Sequence, residues 1–501
     1  MISSTRMRRT MASIVPDFLM ASPEGSKPSD MVFSTCSELV YRMKKRLSSV
    51  LPEYLPESLG GFPAPPTPSG FLKVTDSRTG DHYEIPIRRN AVEATQFKQI
   101  RARADSKAKT DKTEGGLRLL DPGYQNTAVA SSEVTFVDGT EGSIHYRQYD
   151  ISELVGTKQF EDVTYLLIWG KLPSPEEKEM FKKQLALAMH PPQMVSDVIH
   201  AFPSNTPIVT MMIAGLSAWT GSDPTVIPAY MGKNIYQGHL DLVDSQIIRL
   251  ISALATVIAM SFCRMQEKPF TPADLNGSFI ENTLRMMGFV EDETKKPNPK
   301  HVECLEKLWV LYADHELTNS TAAFLHVAST LADPFSCTIA SLTAAYGPLH
   351  GGAIDTAFKV IQNVGKPENV PQLIDDVKAK KCRLFGYGHR IYKTVDPRSV
   401  IIRELLDELK DDDAAHKEFL ATALEIDRIA SEDQYFTSRH LKANADLYGS
   451  FVYMALGFPP EIILPLAMMS RCPGVMAHWR EAMNGNPRLW RPQQIYTGAY
   501  H

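Results

Sequence analysis

The stretch from Gly347 to Asp446 constrains the fold more than any other, because its punctuation dictates where helices stop and start. Asp333-Pro334 offers a capping carboxylate, then a proline at the first helical position, where a missing N–H does no harm. Gly347-Pro348 ends that helix. Gly351-Gly352 then turns the backbone again before Ile354, Ala357, Phe358 and Ile361, which are spaced for one helical face. His350 is thereby held on a tight turn between two helices. His389 sits in a second glycine-spaced turn, Phe385-Gly386-Tyr387-Gly388-His389-Arg390, and Arg398 falls in the first turn of a helix capped by Asp396. A third short piece, Asn444-Ala445-Asp446, closes the stretch.

Two imidazoles and a carboxylate on separate turns, with arginines nearby, suit acid–base chemistry on an anionic substrate. A carboxylate is too weak a base to take a carbon-bound proton beside a carbonyl unless a fixed donor meets the developing enolate oxygen. A further donor must protonate the carbonyl on which the enolate lands. His350, Asp446 and His389 offer one group for each task. Taken singly, a glycine-flanked histidine is more often a turn or core residue than a catalyst. The combination is far more specific than its parts.

GPLHGGA at 347–353, FGYGHRIYKTVDPR at 385–398 and NAD at 444–446 resemble the three signature segments of the citrate synthase family. The resemblance continues through DHE at 314–316, MAHWREAM at 476–483 and RPQQIYTG at 491–498, and runs in one order from about Leu120 to the end. GPLHGG and GHRIYK are closest in flavour to the bacterial and peroxisomal-type branch. The resemblance implies a mainly α, two-domain helical fold with a small N-terminal β-hairpin region. It also implies an acyltransferase that converts the acyl group to alkyl on transfer, with catalytic His350, His389 and Asp446. Oxaloacetate carries two carboxylates, which planar guanidinium forks are suited to hold. Arg398, Arg471 and Arg491 fall where the family places its carboxylate-binding arginines, the last reaching in from the other subunit of a homodimer. His315 matches a further substrate-binding histidine. The backbone at Gly386, Tyr387 and Gly388 is expected to hold the adenine end of coenzyme A, with Lys393 and Arg439 as phosphate partners, although exposed basic residues are mostly solvated surface. Acyl-CoA is a substrate here and no cofactor is implied.

Other readings of these segments fail. Ile391 stands at the third glycine position of a dinucleotide fingerprint, and no convincing strand precedes it. His315-Glu316 lacks the second histidine of HExxH, and no Cys/His cluster replaces it, so no metal site is expected. From another class, a catalytically silent family member acting as a CoA-binding or scaffold protein is opposed by the intact catalytic and arginine positions.

Departures from the family pattern bear on the acyl group. Its usual Asn-Val-Asp-Phe-Tyr-Ser is Asn444-Ala445-Asp446-Leu447-Tyr448-Gly449, and its Tyr-Pro before the asparagine is Lys442-Ala443. Tyr312 replaces a histidine, and Tyr146-Arg147-Gln148-Tyr149-Asp150 replaces Tyr-Arg-Gly-Tyr-Pro. Losing an aromatic ring and gaining a glycine beside Asp446 suggests an enlarged acyl pocket. The product is then a 2-alkylcitrate of specialised metabolism, set against citrate itself.

The rest of the chain is less specific. At 501 residues two or more lobes are expected. We place an extension and proline-rich linker at 1–70, a large helical domain at 71–350 plus 447–501 with a small β region at 71–150, and a small helical domain at 351–446. Arg6, Arg8 and Arg9 faintly resemble a transit peptide, but disorder is the better reading of the extension. A net charge of -5 argues against nucleic acid. Six scattered cysteines read as reduced thiols of an intracellular protein, cytoplasmic or organellar. No secretory signal is visible, and the last residues are not a Ser-Lys-Leu address. Leu250–Cys263 is too short to span a bilayer, and Leu242–Gln266 reads as one long buried helix. Hairpins are expected within 71–87 and from 134–137 to 143–146, a helix start at Ser174-Pro175, and a solvated break at Asp411–Asp413.

Overall fold

A computed structural model describes residues 68–101, 116–389, 391–409 and 417–499. All lie in the compact unit Ser58–His501. The basic N-terminus, most of the proline-rich linker, Arg390 and the Asp411–Asp413 break lie outside the described residues.

Both expected hairpins form. β1 (Gly70–Thr75) pairs antiparallel with β2 (His82–Arg88), and β2 with the two-residue β3 (Ala91–Val92). β4 (Thr135–Asp138) pairs with β5 (Ser143–Tyr146), and β5 with β6 (Tyr149–Asp150). The short third strands were not anticipated, since two residues carry no alternation to read. The β4–β5 turn lies against the chain that follows His389. Lys393 N–H donates to the Gly139 carbonyl at 2.9 Å. A methyl on Gly142 would stand 2.6 Å from Thr394 Oγ1, and one on Gly139 would be driven into the Ile391 carbonyl.

Helices make up the rest. The helices that matter below are α1 (Phe160–Trp169), α2 (Leu240–Met265), α3 (Pro299–Tyr312), α4 (Asn319–Ala328) and α5 (Pro334–Ala345). They continue with α6 (Ala353–Val364), α7 (Pro397–Leu409), α8 (Ala445–Ala455) and α9 (Ile463–Asn484). Capping follows the sequence. Ser174 and Glu177 form a reciprocal box at the helix Pro175–Ala188, and the Asp333 carboxylate accepts from Ser336 N–H at 2.9 Å. α2, at 26 residues, is the long buried helix expected over Leu242–Gln266, and it is long enough to cross a bilayer. However, 89% of its most apolar window is buried inside the fold. It is the axis of the core. Ile208–Gly221, Pro175–Ala188 and α9 pack around it. Two of its buried hydroxyls are satisfied across the interface, Ser252 Oγ donating to the Leu185 carbonyl and Thr256 Oγ1 to that of Met189, each at 2.9 Å.

Around residues 353–455 the helices pack on one another: α8 lies on α7 and α6, and Lys417–Glu432 lies on α6, α8 and Val370–Lys378. The boundary expected after Asp446 therefore falls inside the first turn of α8. Beyond α8, Gly457 N–H donates to the Met454 carbonyl in the turn that ends the helix.

Candidate active site

His350 stands where its punctuation put it, on the turn between α5 and α6, with its N–H donating to the Gly347 carbonyl at 3.0 Å. Its ring reaches the N-terminus of α4. There, Ser320 N–H donates to Nε2 at 3.2 Å, and Ser320 Oγ lies 2.9 Å from the same nitrogen. A nitrogen that accepts from a main-chain N–H carries no proton, so the ring proton resides on Nδ1. Burial, reinforced by the Arg471 charge, pulls the His350 imidazole down to about 4. The ring is a neutral donor at neutral pH.

His389 is held in the same state by other means. Its Nδ1 accepts from the N–H groups of Ile391 and Tyr392, at 3.2 and 3.3 Å, which leaves the proton on Nε2. Burial, then the nearby Arg398 charge, brings it down to about 4, with Asp396 opposing. The His315 ring lies 5.4 Å from that of His389, centroid to centroid, and its Nε2 is 2.8 Å from the Tyr392 hydroxyl. Burial and the Arg398 and Arg471 charges keep His315 well below the usual imidazole range.

Asp446 occupies the first turn of α8, capped by Asn444, whose Oδ1 accepts from Asp446 N–H at 2.9 Å. Segments 386–388 and 442–444 zip together. Gly388 N–H donates to the Lys442 carbonyl at 2.6 Å and Asn444 N–H to that of Gly386 at 3.1 Å, while Asn444 Nδ2 donates to the Gly388 carbonyl at 2.8 Å. This zipper brings the His389 turn beside Asp446. It requires glycine at both positions: φ is +78° at Gly386 and +86° at Gly388. A methyl on Gly386 would also stand 2.9 Å from Leu447 Cα. Burial pushes the Asp446 carboxyl up to about 6 against the pull of Arg398, and the Asp396 charge adds to the rise. A carboxyl near that value is poised to exchange a proton near neutrality.

Arg398 and Arg471 approach the same region from α7 and α9. Asp396 grips Arg398 with both oxygens, at 3.0 Å to Nε and 2.8 Å to Nη2, and also accepts from Arg398 N–H and Ala445 N–H. Burial disfavours the Arg398 charge, yet Asp396 outweighs it and the guanidinium stays firmly protonated. Arg471 Nε donates to the Tyr312 carbonyl at 2.7 Å. Burial lowers its pKa, partly offset by Asp314. Behind these lies a second buried pair, His478 Nε2 at 3.2 Å from Asp314 Oδ2. Burial works against both charges, but each partner holds the other ionised: His478 is raised and Asp314 lowered. Arg471 is bonded to a main-chain carbonyl and, among the described residues, forms no ion pair, which leaves its guanidinium free to meet an anionic ligand.

The structure thus brings His315, His389 and Asp446 within electrostatic reach of Arg398, and His315, His350 and Asp446 within reach of Arg471. It does not bring Arg491, which stands exposed in the stretch beyond α9. Lys393 and Arg439 are also exposed, the latter stacked 4.0 Å over the Tyr435 ring. In the loop backbone, the Gly386 carbonyl and both polar groups of Gly388 bond to residues 442–444. Tyr387 is buried, with its hydroxyl 3.2 Å from Asp427 Oδ1, so its side chain serves the fold. Sequence reasoning missed Asp396 as the counter-ion of Arg398, Ser320 as the partner of His350, and the Asp314–His478 pair. The last two names sit inside segments already singled out, DHE and MAHWREAM, but nothing in a linear reading joins positions so far apart.

A carboxyl poised to exchange a proton, neutral imidazoles with defined tautomers and paired guanidiniums describe an acid–base site for an anionic carbonyl compound. The family comparison is more specific. The model of the citrate synthase C-terminal domain matches residues 123–493. A citrate synthase-like protein of Aspergillus oryzae, oryE, is 51% identical over 427 residues, which are 85% of this chain and 95% of that protein. An alkylcitrate synthase of a fungal species, phiJ, is 39% identical over 431 residues, 86% of this chain and 94% of that one. Among solved structures, citrate synthase from the thermophilic archaeon Thermoplasma acidophilum, in a ternary complex with carboxymethyl coenzyme A and oxaloacetate, is similar with a TM-score of 0.69. That likeness covers 75% of this chain and 95% of the archaeal one at 26% identity. The chain belongs to the citrate synthase family.

Proposed function

We propose that this enzyme condenses oxaloacetate with an acyl-CoA longer than acetyl-CoA, giving a 2-alkylcitrate and free CoA. The condensation reaction follows from the family; the longer acyl chain rests on resemblance to alkylcitrate synthases such as phiJ and tstJ, at 39% and 37% identity. The observation that carries the chemistry is the pair of tautomers. With Nε2 of His350 accepting from Ser320, its Nδ1–H is the donor for the enolate oxygen, and His389 keeps its proton on Nε2 for the ketone. Asp446 takes the proton from the carbon beside the thioester. That carbon attacks the oxaloacetate ketone, whose oxygen receives the His389 proton. Arg398, Arg471 and His315 hold the substrate carboxylates. Water then cleaves the thioester, leaving a carboxylate on the product and releasing the CoA thiol. Closure over the substrates keeps water out until the carbon–carbon bond exists.

In this reading a homodimer completes the site, the exposed Arg491 reaching the partner's oxaloacetate, and Lys393 and Arg439 face the CoA phosphates. Acyl-CoA enters as substrate, with no resident cofactor. Relatives named as glyoxysomal and peroxisomal citrate synthases support an intracellular, organellar setting.

One part of the argument for a larger pocket needs correcting. The space beside Gly449 is filled: a methyl there would be driven into the Tyr312 hydroxyl. The glycine accommodates tyrosine and does not open room for an acyl chain. Mass identification of products from oxaloacetate with acetyl-, propionyl-, hexanoyl- and longer acyl-CoAs tests the proposal. A 2-alkylcitrate made in preference to citrate is expected. A strong acetyl preference leaves a citrate synthase, and no CoA release with any thioester leaves the silent binding protein.

A further inference from the structure

We propose that Tyr312 is a positioning residue of the condensation site and that Gly449 is its steric complement, the two interlocking to fix the first turn of α8, and with it Asp446, against the paired arginines. The inference rests on the condensation reading and deepens it.

Tyr312, the last residue of α3, is buried and touches the site through several of its own groups. Its hydroxyl donates to the Ala445 carbonyl at 3.1 Å, in the same turn as Asp446. Its ring lies under Arg398, with Cζ 5.6 Å from the centroid. Its main-chain carbonyl accepts from Arg471 Nε at 2.7 Å. The ring reaches Ala445 only because position 449, one helical turn further along α8, lacks a side chain. Without the hydroxyl, the nearest atoms to a methyl at 449 would be Tyr312 Cζ at 3.5 Å and Ile354 Cδ1 at 3.7 Å, both ordinary contacts. The conflict between a side chain at 449 and Tyr312 is therefore a conflict with one oxygen atom. The electrostatic coupling of Tyr312 to Asp446 agrees with that proximity.

Four proteins test the interlock: wild type, Tyr312→Phe, Gly449→Ala and the double variant, assayed with oxaloacetate and the best acyl-CoA of the panel. Tyr312→Phe keeps the ring under Arg398 and the carbonyl on Arg471. It should lower kcat by about tenfold, the effect of one lost hydrogen bond, while KM for oxaloacetate stays within about twofold. Gly449→Ala alone should lose at least as much. Added to Tyr312→Phe, it should cost less than about twofold more, because the offending oxygen is gone. Multiplicative effects, or a Tyr312→Phe enzyme with wild-type kcat, overturn the proposal. If Gly449→Ala does not fold, the double variant must fold as Tyr312→Phe does, and its failure to do so is equally fatal. Absence of activity in wild type with every thioester would refute the reaction instead. The interlock would then be read from the melting temperatures of the same four proteins, where additive losses overturn it.

Discussion

Replacing Asp396 by asparagine should separate the electrostatics of this site from its architecture. Asparagine caps a helix as well as aspartate, so the start of α7 loses little. The amide oxygen can keep the bonds from Arg398 N–H and Nε, both of which go to Oδ1. At the Oδ2 position an NH2 group would confront Arg398 Nη2 and Ala445 N–H, two donors at 2.8 and 3.2 Å. A buried guanidinium loses its counter-charge, a change that costs about 3–5 kcal/mol. For a folded unit of this size, at ~0.9 kcal/mol per degree, the melting point should fall by about 3–5 °C. An Arg398 released from its fork forfeits one charge-assisted bond to oxaloacetate, about 1.5–3 kcal/mol, so KM for oxaloacetate should rise about 10–150-fold. KM for acyl-CoA should hardly move. The Asp396 charge also raises the Asp446 carboxyl, so its removal should shift the acid limb of the pH profile to lower pH. Steady-state kinetics in both substrates across pH, with a thermal melt, read all three effects. An unchanged oxaloacetate KM together with a melting point within about one degree of wild type would refute the reasoning.

The wild-type pH profile carries its own expectation. Asp446 must be ionised to act as base, so kcat/KM should fall about tenfold per unit as pH drops below about 6. The imidazoles, down at about 4, stay neutral across that limb, and a rate that holds level to pH 4.5 would remove Asp446 from the role. Away from the site, Glu306 and Glu161 are buried carboxyls, each with one oxygen lacking a partner, and burial followed by the Glu161 charge pushes Glu306 well above the usual range. A raised carboxyl holds its proton more tightly folded than unfolded. Its favourable contribution is complete at low pH and is lost as pH rises through the folded value. Glu306→Gln removes that loss while an amide oxygen still accepts from Phe160 N–H at the start of α1. It should stabilise the protein by about 1–3 kcal/mol at pH 8 and little at pH 4. Equal denaturation midpoints at pH 8 would contradict it.

What the sequence revealed, and what it hid, divides along a physical line. Features set by neighbouring residues were legible. Asp333-Pro334 and Ser174-Pro175 start helices, Gly347-Pro348 stops one, and Ile354, Ala357, Phe358 and Ile361 are the buried face of α6. The turns that hold His350 and His389 were legible because glycines mark them. Features that depend on distant parts of the chain were hidden. Asp396 was read as a cap, which it is, but its grip on Arg398 and Ala445 is a tertiary fact. Gly449 was read as vacant space because a glycine implies room only until something else occupies it, and Tyr312 does.

The docking of the β4–β5 turn on the chain after His389 has a consequence for how such enzymes diverge. With Gly139 and Gly142 pressed against Ile391 and Thr394, residues 134–146 and 391–395 are sterically interlocked, so a side chain gained in one must be met by a shift in the other. Lineages can lengthen surface loops elsewhere at little risk. An insertion in that turn, or a chimera taking one half from a cousin, would arrive with a mismatched seam beside His389.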